Sequence, residues 1–179
     1  MYQVGQAYQG KSKYDVSERP GRLTIKKTKL ILRKFKDEEA RLRDEPYEVC
    51  EDEGNIGLNT GIAELWDLAC GLGTPVKFDA TNAKLGVSDS TAAEAAAQTD
   101  LQGATTAHAS MDAAYPSRSA QTVSWRSTFG SAVANFPWNE FVVENATGAA
   151  GEKLIRKVSL QGTKISGQTW ELTLQVTLA

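Results

Sequence analysis

Few side chains here combine the type and spacing that a reaction needs. His108 is the one imidazole among 179 residues, and nucleophilic catalysis requires a base within reach of a hydroxyl or thiol. Its neighbours are Ala, Thr and Ser, so the expectation is an exposed surface histidine and not a general base. Cys50 and Cys70 stand twenty residues apart without a second pair. That spacing fits neither a zinc site nor a disulfide-rich scaffold, and both are read as free thiols. Asp89 lies in Gly-Val-Ser-Asp-Ser-Thr, which superficially suggests a phosphate or calcium loop. No Walker-type run or regular Asp ladder follows, so Asp89 is expected to hold a cap or turn. Glu140 and Glu144 could serve as a glycosidase acid and base, but nothing in the sequence fixes their separation. The expectation is a chain that is not an enzyme, with no catalytic residue, no cofactor and no metal site.

The elements that would position these residues are mainly β. At the C-terminal end Trp170, Leu172, Leu174, Val176 and Leu178 share one parity, and Glu171, Thr173, Gln175 and Thr177 share the other. A period of two places alternate side chains on opposite faces, so one long strand with a greasy and a wet face is predicted over 169–178. Val123, Trp125, Ser127 and Phe129 alternate in the same way, and strands are expected over 138–145 and 154–160. Turn-composed segments at 148–151 and 162–167 favour an antiparallel meander or Greek key over a parallel sheet, which needs long crossovers. Residues 60–71 read as the best helix, with Ile62, Leu65, Trp66 and Ala69 on its apolar face, Asn59 or Thr60 as cap and Gly71 as terminator. Short strands are expected at 76–78 and 83–87, and a capping box at Thr91 to Glu94 predicts a second, alanine-rich helix. Residues 103–120 look like connection with room for one strand. The predicted fold is an antiparallel β-sandwich or jelly-roll-like domain with one or two short helices. Its expected core includes Ile62, Leu65, Trp66, Trp125, Phe129, Trp170, Leu172, Leu174 and Val176.

The first third of the chain reads differently. Residues 1–21 lack periodic apolar character and are expected to form an extended arm, with Tyr2, Val4, Tyr8, Tyr14 and Val16 as its anchors. Residues 22–53 form a charged, strand-rich lead to a core domain over 54–179. Arg22, Lys26, Lys27, Lys29, Arg33, Lys34 and Lys36 run without an acid, and nine acids follow over 37–53. Lys-covered edge strands, a phosphate-binding stripe, and pairing of the two runs within or between subunits are the three readings. Tyr2, Tyr8, Tyr14, Lys26, Lys27, Lys29, Arg33 and Lys34 are the candidate partner contacts.

A formal net charge of −2 offers no global field for nucleic acid or an acidic membrane. No apolar run is long enough to span a bilayer, and the first twenty residues lack a signal-peptide core. The chain is therefore expected to be made in the cytoplasm of its host.

From Gly54 onward an ordered set of motifs resembles a group of tailed-bacteriophage virion proteins. It comprises Gly54-Asn55-x-x-x-Asn59-x-Gly61, Leu85-Gly86-Val87-x-Asp89-Ser90-Thr91 and Gln98-Thr99-Asp100-Leu101-Gln102. Thr128-Phe129, Ala134-Asn135-Phe136-x-Trp138-Asn139-Glu140, Asn145, Arg156-Lys157, Leu160, Gly162-Thr163-Lys164 and Thr169-Trp170 continue it. Ser88 stands where that group commonly has Gly, and Phe141 where it has Trp. The resemblance implies a structural role on the virion, as a capsid cement (decoration) protein or a tail-associated component, with no catalytic residues. The expected partner is the major capsid protein, with self-association as a dimer or trimer. A tail, collar or baseplate adaptor is the structural alternative, since the Gly-Val-x-Asp-Ser and Gln-Thr-Asp-Leu elements also resemble collar-fibre proteins. A glycan-binding β-sandwich using Trp138 or Tyr115 is the alternative of another class.

Overall fold

The computed structural model describes residues 25–54 and 56–178, without the side chains of 25–27 and 149. In chain order the elements are β1 (Ile25–Phe35), α1 (Glu38–Leu42), β2 (Glu48–Glu53), β3 (Ile56–Gly57), α2 (Asn59–Cys70) and β4 (Lys84–Ser88). β5 (Thr106–Ser110), β6 (Ser117–Ser119), β7 (Thr122–Phe129), β8 (Glu140–Glu144), β9 (Lys153–Val158) and β10 (Thr169–Leu178) complete them. One sheet, A, has the order β2-β1-β10-β7-β6 and the other, B, has β3-β9-β8-β4-β5. All pairings are antiparallel, and the fold is a mainly β sandwich.

Alternation in β10 builds the inner layer of sheet A. Trp170, Leu172, Leu174 and Val176 are all buried. Pairing brings Leu30 of β1 and Trp125 of β7 to either side of Leu174, and Phe129 beside Trp170. Leu85, Val87, Phe141, Val143 and Ile155 of sheet B belong to the same core cluster. Trp138 locks the aromatic centre, with ring centroids 4.7 Å from Phe129, 4.9 Å from Trp170 and 6.2 Å from Phe141, each in edge-on geometry. Its indole N–H donates to the Ala134 carbonyl at 2.9 Å.

β8 and β9 form a hairpin in sheet B while β7 and β10, on either side of them in sequence, pair in sheet A. From β7 to β10 the chain thus switches sheets twice, and a simple meander is excluded. The charged lead is part of the body, because β1 is the second strand of sheet A and pairs along its whole length with β10. It is not a Lys-covered edge strand; the edge belongs to the acidic β2.

Five local expectations are corrected. α2 forms where the periodicity puts it, and Gly71 ends it in the left-handed conformation at φ 67°. Its N-cap, however, is Leu58 in extended backbone with no side-chain bond, so neither Asn59 nor Thr60 caps it. The helix also rolls relative to its predicted face. Gly61 is the buried contact point, where a Cβ would lie 2.3 Å from the Lys153 carbonyl oxygen, and close approach of helix to strand needs that missing atom. Leu65 and Leu68 pack on the core and Ile62 is half-buried, while Trp66 is 54% exposed and is not a core residue.

The capping box at 91–94 forms no helix, because tertiary bonds take its backbone and side chains. Glu94 accepts the Val158 N–H and the Ala92 carbonyl accepts from Arg156. Residues 76–78 form no strand, and the segment 103–120 holds two, β5 and β6.

Candidate functional site

A cluster of buried ionisable side chains lies on the face of sheet B turned away from the core. Glu140, Val142 and Glu144 alternate outward from β8, and register places Arg156 and Lys153 of β9 on one side and Ser88, Gly86 and Lys84 of β4 on the other. Glu140, Glu144, Arg156 and Lys153 are nevertheless fully buried. The cover comes from residues 89–105, whose Leu101 is buried above Gly86. A Cβ on Gly86 would sit 2.8 Å from Val142 Cγ2 and 3.1 Å from Leu101 Cδ1, so the bare backbone makes room for that lid of chain.

Burial of charge is tolerated only with partners, and each group here has them. The Glu140 carboxylate accepts from the Ser88 hydroxyl, Arg156 Nε and the Gln102 N–H. The Arg156 guanidinium spends its other arms on Gln98 Oε1 at 3.0 Å and the Ala92 carbonyl at 2.9 Å. Both acceptors lie on the covering segment, so this one side chain pins it to the sheet. Lys153 Nζ donates to the Gly148 and Gly151 carbonyls, with Asp100 at 3.3 Å and Glu144 at 3.6 Å. His108 Nδ1 lies 2.5 Å from Glu144 Oε1.

This geometry corrects two readings. His108 is 15% exposed in its side chain, because β5 presents it to Glu144 and not to solvent. Glu140 and Glu144 are four residues apart on one strand, about 13 Å along it. Glycosidase pairs need roughly 5 to 9.5 Å across an open cleft. Both carboxylates are instead sealed and bound to cations.

Sheet A treats its charges differently. The basic run and the acidic run lie side by side as β1 and β2. Lys29 pairs with Glu51 at 2.7 Å, Lys34 with Glu48 at 2.9 Å, and Arg33 with Asp44 and Glu171. Of the three readings of these blocks, pairing within the chain is the one realised at these positions, and it withdraws Lys29, Arg33 and Lys34 from the set of free contacts. Lys34 is also on the inner parity, with its ammonium 4.9 Å from the centroid of Trp170. The side chains of Lys26 and Lys27, and Tyr2, Tyr8 and Tyr14 altogether, lie outside the described residues. The bond to Lys34 holds the Glu48 carboxyl below its ordinary range, and burial followed by Glu48 pushes the Cys50 thiol up. Both cysteines are free thiols, Cys50 half-buried and Cys70 exposed.

Comparison with family models, with curated proteins and with solved structures returns no match.

Three other positions resolve in structural terms. Asp89 accepts the N–H of Thr105, sixteen residues away, which holds its carboxyl below the usual range; the bond closes the two ends of the 89–105 segment and is not the local cap or turn expected. Trp138 is fully buried and Tyr115 stacks under Arg126, 4.4 Å from guanidinium to ring centroid, so neither is the free aromatic platform a glycan would need. Lys164 is a residue that sequence reasoning passed over except as a motif letter. Its buried ammonium donates to the Gly130 and Val133 carbonyls and Asn135 Oδ1, at 2.8 to 2.9 Å, and burial pulls its pKa down to about 8. It ties the β9–β10 connection to the segment after β7. Large apolar side chains are left in solvent at Trp66, Leu72, Leu160 and Ile165. Among the described residues, no group of three or more His, Cys, Asp or Glu is placed to hold a metal, and no helix is long and apolar enough to cross a membrane.

Proposed function

We propose that this chain is a structural protein of a tailed-bacteriophage virion, a capsid cement protein that binds the major capsid protein and stabilises the head. The observation that carries this reading is how the molecule distributes its charges and apolar groups. Its ionisable residues are largely spent on internal ties, across β1 and β2 and beneath residues 89–105. Several apolar side chains that could grip a neighbour remain outside. A sandwich stiffened in this way transmits load between contacts. The motif set from Gly54 to Trp170, read as a resemblance to phage virion proteins, supports the same role. Repeated modest contacts over a symmetric shell then add up through multivalency, and a homo-oligomer of this chain multiplies them further.

In this reading residues 1–21 cross a subunit boundary on the shell. Particles carrying the chain without those residues should lose part of their complement of this protein and inactivate at lower temperature. A full complement with unchanged heat survival would remove the segment from the role. Localisation at the tail or collar would replace the cement reading with that of an adaptor.

A further inference from the structure

Lys153 meets two carboxylates in a place closed to water. It follows the turn between β8 and β9, where the Gly151 N–H donates to the Gly148 carbonyl at 3.1 Å and the Glu152 N–H to Asn145 Oδ1 at 2.8 Å. A Cβ on Gly151 would lie 2.3 Å from the Ala146 carbonyl oxygen, so the turn folds tightly on itself. Its carbonyls face the lysine: Nζ donates to Gly148 and, at 2.7 Å, to Gly151. Nζ also lies 3.3 Å from Asp100 Oδ1 and 3.6 Å from Glu144 Oε2. The side chains of Lys153 and Glu144 are wholly buried, whereas that of Asp100 is 36% exposed.

The two carboxylates are held differently. Asp100 sits on the covering segment beside its anchors, for Leu101 is buried over Gly86 and the Gln102 N–H donates to Glu140. The Leu101 N–H donates to Asp100 Oδ1 at 2.8 Å. Glu144 contacts His108 through Oε1, while its Oε2 is buried and, among the described residues, has no hydrogen-bond donor. That oxygen lacks the proton a buried acceptor needs, and the nearest nitrogen is the lysine's.

We infer that Lys153 and Asp100 join in an isopeptide bond, which the protein forms on itself with Glu144 as the proton relay. Glu144 Oε2 takes a proton from the Lys153 ammonium and passes it to Asp100 Oδ2. The freed amine adds to Asp100 Cγ, and the charge that develops on Oδ1 faces the Leu101 N–H. A second proton leaves the nitrogen through Glu144 to Oδ2, the bond from Cγ to Oδ2 breaks, and that oxygen departs as water. One ammonium and one carboxylate become one amide and one water, Glu144 ends as it began, and no oxidant or cofactor enters.

Two features favour the bond. The reacting groups are held in contact by anchors on both elements, which makes the step intramolecular at a fixed site. The product also replaces a charge of each sign by a neutral amide, where desolvation makes an ion pair costly. Asp100, at the margin of the cover, leaves the water an exit. The bond closes a covalent loop from residue 100 to residue 153 and rivets residues 89–105 to β9, beside the ties from Arg156. It does not depend on the shell reading, and either can fail alone.

The intact mass of the purified full chain, measured in denaturant, supplies the test. It should lie one water below the mass of the sequence. Trypsin should then leave residues 85–118 and 127–156 joined as a single branched peptide, because an acylated Lys153 is not cleaved. Asp100→Ala and Lys153→Met should each restore the full mass. Glu144→Gln keeps the size of the side chain without the relay, and should slow crosslinking by about a hundredfold while near-ultraviolet dichroism is retained. A full mass in the unsubstituted chain after prolonged incubation in the folded state would overturn the bond. Water loss that maps to other residues would overturn it equally. Crosslinking as fast in Glu144→Gln as in the unsubstituted chain would overturn the relay.

Discussion

The outer faces of the two sheets carry similar residue types and meet opposite fates. On sheet A, Lys29, Glu51 and Thr173 stay partly exposed and their ion pairs sit in water. On sheet B, Glu140, Arg156, Glu144 and Lys153 are excluded from solvent by residues 89–105. Period-two alternation separates apolar from polar positions, but a polar position can be satisfied by water or by another side chain. The lesson concerns energy as well as geometry. Exposed pairs contribute about 0 to 1 kcal/mol. A buried pair does little as a unit, yet removing one member leaves a charge without compensation and costs several times more.

Four substitutions sharpen or break that contrast. Trp170→Ala in the inner layer should lower unfolding free energy by about 3 to 5 kcal/mol in urea titration, because the ring is 2% exposed and props Trp138. A near wild-type midpoint would deny the shared aromatic centre. Glu140→Ala should cost about 3 to 4 kcal/mol, since Arg156 then stays buried without its carboxylate. Adding Arg156→Met to Glu140→Leu should recover much of that loss, whereas strictly additive losses would mean that the two do not act as a pair.

The third prediction concerns pH. Lys164 releases its proton in the native state at about 8, below its ordinary value of 10.5. Between those values the unfolded chain binds more protons, so this group makes stability rise with pH. Lys164→Met should remove that rise, read as the difference in urea midpoint between the two ends of the window. An unchanged slope would place the ammonium in solvent. The smallest effect is expected at Lys29→Ala on the exposed face, within about 0.5 kcal/mol. A larger loss would make the pairing of β1 with β2 more than a surface contact.

The sandwich was readable where one physical rule acted alone. β10, β7, β8 and β9 follow from alternation bounded by turn residues, and the two free thiols follow from cysteine spacing. What escaped was tertiary. Nothing around His108 in sequence announces a carboxylate that arrives from residue 144, and nothing in Thr91 to Glu94 announces that Arg156 and Val158 claim the local hydrogen bonds. Trp66 follows the apolar periodicity of its helix, yet Gly61 sets the rotation and leaves the ring outside. The charge blocks were visible as blocks, but only the antiparallel register of β1 and β2 decides that they satisfy each other.

The most direct measurement of the proposed role is an image reconstruction of tailed-phage particles assembled with this chain, the protein labelled at residue 179. Many copies distributed over the shell, each sandwich bridging neighbouring capsid subunits, is the result expected of a cement protein. A few copies confined to the tail or its vertex, or particles from which the chain is absent, would contradict it.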